Sequence, residues 1–224
     1  VPYLLRADRF ARASIAFLPS SDAVVAFTAS GGGRSTVALP PHPNIVVLDD
    51  VEAVWSLAPH WVKAMLGPAA ALRGSVLRAS DHPALRLFDD EKDARSAVSL
   101  LHDLRASLTV TPDEHEFETL WWAHRQTGQP LPSADRRVQR LMVRFAGQSL
   151  TQITTVEQLA ATLRADRDGG GYNSLGLYSD GSHYARACRR LTGRSPAEWR
   201  NVSLPFYGGE VDSPYRGSEA ETAH

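Results

Sequence analysis

Five segments between Ala97 and Leu191 share one spacing, in which apolar residues recur at i, i+3, i+4 and i+7 or its continuation. The sets are Ala97, Leu100, Leu101 and Leu104; Phe117, Leu120 and Trp121 with His124; and Val138, Leu141, Met142 and Phe145. Leu150, Ile153, Val156, Leu159, Ala160 and Leu163 follow, then Tyr184, Ala187, Cys188 and Leu191. That period matches the turn of an α-helix, so each segment can bury one oily face only by packing it on another element. The second half of the chain is therefore expected to be all helical.

The first ~50 residues have a different period. "SIAFLP", "AVVAFTA", "STVALP" and "NIVVLDD" are short apolar runs rich in β-branched residues. Turn formers separate them: "SSD", "SGGGR" and "PPHP". The Gly31–Gly33 triplet lacks the Gly-Lys-Ser/Thr of a phosphate loop and leads into a strand, so it is expected to be a hairpin turn. From Asp50 onward the pattern turns helical. "HWVKAMLGPAAALRGSVL" reads as two short helices around Gly67-Pro68 and then an extended run; "EKDARSAVSLLHDLRASL" reads as a helix. The fold class is α+β, a small β-rich mixed domain followed by an all-α domain.

Start and stop signals sharpen the helices. Thr111, Pro112 and Glu114 form a capping-box pattern, as do Ser195, Pro196 and Glu198. Ser133 is a candidate cap for a helix through about Ala146, with Gly147 as its stop. Ser179 or Asp180 can cap a helix that runs to about Thr192 and ends at Gly193. The first of these two helices carries Arg136, Arg137, Gln139, Arg140 and Arg144 off its oily face. The second carries Ser182, His183, Arg186, Arg189 and Arg190. "SLTQITTVEQLAATLRA" between them is nearly uncharged and reads as a connecting helix. His124 is expected to be a packed or rim histidine rather than a ligand, since no second ligand lies at helical spacing. Trp55 and Trp61 are expected in aromatic core, with the lining of an apolar pocket as the alternative.

Charge is uneven along the chain. Lys plus Arg number 24 and Asp plus Glu 25, yet Ser133–Arg200 holds eleven Arg against six acids. A basic half of this kind suits an anionic partner. A major groove admits one α-helix, where Arg reads guanine or neutralises phosphate, Gln reads adenine and Ser holds phosphate. The single cysteine, Cys188, excludes an internal disulfide and a cysteine-rich zinc site. No run reaches the ~18 apolar residues of a membrane helix, and the first residues lack signal-peptide character; a cytoplasmic protein is expected. Asp180, Ser182 and His183 fall within four residues, but triad members normally come from separate segments. No catalytic residue, metal site or cofactor is expected.

"SDGSHYARACRRLTGRSPAEWR", Ser179–Arg200, resembles the second helix-turn-helix signature of the AraC/XylS family of bacterial transcription regulators. The matching positions are Ser179-Asp180, Ser182-His183-Tyr184, Arg186-Ala187, Arg189-Arg190, Thr192-Gly193, Ser195-Pro196 and Arg200. "ADRRVQRLMVRFAGQSLTQI", Ala134–Ile153, is similar to the recognition helix of that family's first motif. "FLPSSDAVVAFTASG" and "LAPHWVKAMLGPAAALRGSVL" are similar to pieces of a sensor-like domain in one branch. The chain departs from the pattern at Gly181, where the family usually has Gln, in the Gly-rich "DGGGYNSLGLY" that stands for a scaffold helix, and in the long "TGQPLPS" link.

The resemblance implies residues 1–108 as a sensor or dimerisation domain, 109–204 as a double helix-turn-helix domain and 205–224 as a mobile tail. It implies a sequence-specific, non-enzymatic transcription regulator of double-stranded DNA. Arg136, Arg137, Gln139, Arg140 and Arg144 would read through the first motif, and Ser182, His183, Arg186 and Arg190 through the second. RNA polymerase, a small-molecule effector and a second copy of the chain are its further candidate partners. The alternative is a degenerate member that docks a protein partner and binds little specific DNA.

Overall fold

The computed structural model describes residues 4–30, 33–42, 44–60, 76–79, 85, 103, 110–128 and 130–208. The helices expected over 61–75 and 91–108, and Trp61, lie outside these except for Asp103. The strands are β1 (Leu4–Phe17), β2 (Ala23–Ser30), β3 (Gly33–Leu39), β4 (Val46–Leu57), β5 (Leu77–Arg78) and β6 (Phe206–Tyr207). They form one sheet in the order β5-β3-β2-β4-β1-β6. The α+β class is thus present in the structure: an N-terminal sheet, then helices.

β2 and β3 pair antiparallel as far as Ser30 opposite Gly33; the turn expected at Gly31–Gly33 falls on Gly31 and Gly32, which lie outside the described residues. β1 and β4 are longer than the apolar runs suggest, because their outer halves are held by polar cross-strand pairs. Arg12 Nε donates to Glu52 at 2.9 Å and Ser14 Oγ to Asp49 at 2.7 Å. The β1–β4 register slips between Arg9 and Ala13 and again before Ile15. Such bulges bend a strand pair. Asp50 takes φ 53° in this region, a conformation that Asp tolerates better than bulkier residues.

β2 sits centrally and is buried on both faces. Ala23, Val25 and Phe27 point to one core; Val24 and Ala26 point to the other. The period of two thus divides one apolar run between two cores. The first core joins the sheet to the helices. Phe27 meets Trp55 edge-on, and this layer continues into Leu57, Phe117, Trp121, Leu141 and Met142.

The helices are α1 (Pro112–Thr127), α2 (Arg136–Leu141, continued as a π turn over Met142–Ala146), α3 (Leu150–Arg167), α4 (Gly181–Thr192) and α5 (Pro196–Arg200). Thr111 caps α1, and Gly128 ends it in the left-handed conformation. Asp135, not Ser133, caps α2, because its carboxylate accepts from the Arg137 and Val138 amides. Gly147 and Gly193 close α2 and α4 at φ 67° and 74°. Ser149–Gln152 and Ser195–Glu198 are complete capping boxes. α3 carries its first buried residue, Ile153, into the sheet core, while Leu159, Ala160 and Leu163 enter a third core with Tyr184, Ala187, Cys188 and Trp199.

Residues 168–180 are not helical, and Gly169, Gly171 and Gly176 have positive φ there. Each glycine costs a helix about 1 kcal/mol, so the non-helical course of this Gly-rich stretch, already a departure from the family pattern in sequence, follows from composition. α3 packs on α4 directly through the third core instead. At the start of the segment expected as a tail, β6 adds to the sheet edge in parallel to β1. Ala16 and Leu18 amides donate to the Pro205 and Tyr207 carbonyls at 3.0 and 2.8 Å. Tyr207 is buried against Phe17 and Phe10.

Candidate nucleic-acid interface

Which side chains α2 can offer follows from how it is held. Val138, Leu141, Met142 and Ala146 bury its inner face against the sheet core. Its arginines are split by the neighbouring α1, whose first turns carry Asp113 and Glu116. Arg137 donates to Glu116 at 2.6–3.1 Å and to Asp113 at 3.0 Å. Hydrogen bonding to Glu116 raises its pKa further above the ordinary value. Arg144 reaches Asp113 at 2.7 Å and lies over the Phe145 ring. The π turn inserts an extra residue per turn, so Arg144 departs from the four-residue row that Arg136 and Arg140 define.

Arg136 and Arg140 are exposed and make no ion pair among the described residues. Gln139 folds back, donating to the Ser133 carbonyl at 2.6 Å. Of the five α2 residues expected to read DNA, two are exposed and unpaired in this sense, two are held by acids, and one bonds to its own chain. In sequence, Asp113 is legible only as a first-turn acid that stabilises a helix N-terminus and Glu116 as a polar residue of the next turn; nothing there says that a second helix would use them.

α4 is arranged differently. Tyr184, Ala187 and Cys188 face inward, and Ser182, His183, Arg186, Arg189 and Arg190 lie exposed on its outer faces. The Asp180 carboxylate accepts the His183 amide at 2.7 Å, and this bond lowers its pKa. The His183 ring meets Tyr178 edge-on, and Ser179 Oγ lies 3.5 Å from its Nδ1. Arg186, Arg189 and Arg190 make no ion pair among the described residues. Thus all four expected readers of the second motif share one helix, with Arg189 beside them.

The support under α4 is aromatic. Tyr172 stacks on Tyr184, which also packs on Tyr178. Burial raises the Tyr178 phenol to about 12, and burial also lifts the Cys188 thiol, so neither ionises near neutral pH. A methyl group at Gly181 would rest 3.4 Å from the Tyr172 ring, an ordinary contact. Trp199 Nε1 donates to Thr192 Oγ1 at 2.8 Å, and Arg194 lies over the Trp199 ring, which fixes α5 against the end of α4. Arg200 pairs with the buried Asp166 at 3.3 Å.

A buried polar network sets where α1 and α3 sit on the sheet. Asp22, in the β1–β2 turn, accepts from Trp121 Nε1 at 2.9 Å and Arg125 Nε at 3.0 Å. Arg125 also meets Glu157 of α3 at 3.0 Å, and His124 shares that carboxylate at 3.2 Å. Burial drives the Asp22 pKa up against the pull of Arg125. Burial also opposes ionisation of Glu157, but Arg125 and His124 outweigh it and hold its pKa low. His124 is therefore a packed histidine at 9 % exposure. Among the described residues, one group has metal-competent atoms close together: His60, Glu114 and Glu118.

No described helix is long and apolar enough to cross a membrane. No family model, no curated protein and no solved structure matches the chain.

Proposed function

We propose that the chain is a sequence-specific DNA-binding transcription regulator. The observation that carries this reading is α4: a capped helix with its apolar face buried and Ser182, His183, Arg186, Arg189 and Arg190 gathered on its outer faces. An unpaired arginine face on a 12-residue helix fits a major groove in width and chemistry. α2 is the second reader, through Arg136 and Arg140, with Arg137, Gln139 and Arg144 recruited from their internal partners. α3, at 18 residues, spans about 27 Å and joins the two. This is the scale needed for helices in successive major-groove turns, ~34 Å apart. The double helix-turn-helix organisation and the AraC/XylS membership are part of this proposal.

A second reading has its own observation. The arginines of α2 are partly neutralised, Gly181 offers no side chain, and residues 168–180 form no scaffold helix. A protein so built could dock a protein partner and bind little specific DNA. Selection of bound duplexes from a random pool, followed by a salt titration, decides between them. A regulator enriches one sequence and loses affinity steeply with salt. No enrichment, and equal retention of all duplexes at low salt, overturns the first reading. Footprinting Gly181→Gln beside the parent then tests α4: a changed footprint is expected at the bases under its N-terminal turn.

A further inference from the structure

We infer that His60, Glu114 and Glu118 form a binding site for a first-row transition-metal dication at the junction of the sheet and α1. His60 Nε2 lies 2.8 Å from Glu118 Oε1, and ligand atoms of all three residues lie within 4.8 Å of one another. His60 and Glu118 are 3 % and 4 % exposed, and Glu114 is half-buried beside them. The set is not an ordinary acidic surface patch. Two of its members are shut away from water, with the Phe117 ring edge-on to His60 at 5.4 Å.

The helix period brings the carboxylates together. Glu114 and Glu118 are four apart in "PDEHEFE" and project from one stripe of α1, while Asp113 and Glu116 occupy the stripe that holds the α2 arginines. Two carboxylates so placed on one helix stripe repel each other, and a dication held between them would offset that repulsion.

The behaviour of Glu114 is a separate pointer. Thr111 Oγ1 accepts the Glu114 amide at 3.2 Å, the first half of a capping box. In the Ser149–Gln152 and Ser195–Glu198 boxes the third residue returns its side chain to the cap amide. Glu114 does not, and its carboxylate has no hydrogen bond or ion pair among the described residues. It lies with His60 and Glu118 instead.

Imidazole with two carboxylates suits Zn²⁺, Co²⁺ or Mn²⁺ better than Mg²⁺, which prefers all-oxygen octahedral surroundings. Around a metal held at about 2.1 Å, tetrahedral ligand atoms stand about 3.4 Å apart. The 2.8 Å pair therefore opens slightly and the wider pairs close. The neutral imidazole would bind through its Nε2 lone pair, with its proton on Nδ1, and water would complete the sphere. Occupied, the site would tie the end of β4 to the first turns of α1.

The test uses the full chain, stripped with chelator, and titrated with Zn²⁺ by calorimetry and with Co²⁺ by visible absorption. Glu114→Gln keeps the size and the helix while removing one ligand charge; His115→Gln, exposed on the same turn, is the control. One saturable Zn²⁺ per chain is expected, weakened at least about tenfold in Glu114→Gln and unchanged in His115→Gln. Zn²⁺ should also raise the unfolding temperature of the parent more than that of Glu114→Gln. Equal binding by the parent and Glu114→Gln, or no saturable binding by the parent, overturns the site.

Discussion

α2 and α4 have similar compositions and different surroundings. Both bury one apolar face and carry arginines on the other. α2 leans on α1, whose Asp113 and Glu116 take up Arg137 and Arg144. α4 leans on α3 and α5, whose acids Asp166 and Glu198 make no ion pair with its arginines: Asp166 accepts from the α4 residue Tyr184 and pairs with Arg200, and Glu198 serves its own cap. An arginine's availability therefore depends on the helix next door as much as on its own. Packing partners also differ. α2 is fastened to a sheet core through the stacked pair Phe117 and Trp121, whereas α4 rests on a small aromatic cluster.

The most damaging single change lies at the sheet–helix joint that holds α2. Trp121 is fully buried and donates to Asp22. Trp121→Ala should cost about 3–5 kcal/mol, with the Asp22 carboxylate left without one donor, as read by chemical denaturation. If the two halves are one cooperative unit, α4 should unfold at the same denaturant midpoint. A transition for α4 that stays at the parent midpoint would show that the third core stands alone.

A second test lies on the sheet side. His42 is 2 % exposed, and burial lowers its pKa to about 4. An unfolded histidine titrates near 6.5. Below that value the unfolded chain gains a proton that the folded one refuses, so stability falls as pH drops from 6.5 to about 4 and the effect levels off below. The loss should total about 3 kcal/mol. His42→Asn can keep a donor for the Pro40 carbonyl that His42 Nδ1 contacts at 3.1 Å, and it should flatten the slope in that window. An unchanged slope in the variant would assign the acid lability to other groups.

Much of the likeness between the two helices is legible in the amino-acid sequence, and what separates them has physical reasons for being hidden there. The inner faces of α2 and α4 follow from their spacing, because each helix can bury only one stripe. The caps at Ser195 and Asp180 follow from chemistry local to a few residues. The antiparallel pairing of β2 with β3 up to Ser30 and Gly33 does too. The outer halves of β1 and β4 are hidden because cross-strand pairs such as Arg12–Glu52 join residues forty apart. The capture of Arg137 by Asp113 and Glu116 is hidden for the same reason. So is the meeting of His60 with Glu114 and Glu118, though Glu114 and Glu118 at i and i+4 raise the question. Gly169–Gly171 do signal a weak scaffold helix, and residues 168–180 are not helical.

For α4 the deciding experiment is Arg186→Ala. The side chain lies off the buried face and makes no ion pair among the described residues, so folding should be nearly unaffected. If it reads a base, duplex affinity should fall by about 1–3 kcal/mol with relaxed preference at one position. Phosphate contact alone would weaken all sequences alike and reduce the salt slope by about one. No change in either quantity would remove α4 from the interface.

A subtler change decides the role of α2. Asp113→Asn removes the carboxylate that both Arg137 and Arg144 touch, while Glu116 keeps its hold on Arg137. These side chains are 37–56 % exposed, so solvent screens the pairs and folding stability should be nearly unchanged. The same change adds net positive charge beside α2 and frees Arg144 from its ion pair, leaving its contact with the Phe145 ring. If α2 lies against the duplex, affinity should rise slightly and the dependence on salt should steepen by about one phosphate contact. If α2 faces away, both should match the parent, and the arginines of α4 would carry the nucleic-acid contact without it. Either result turns the difference between the two helices from one of surroundings into one of function.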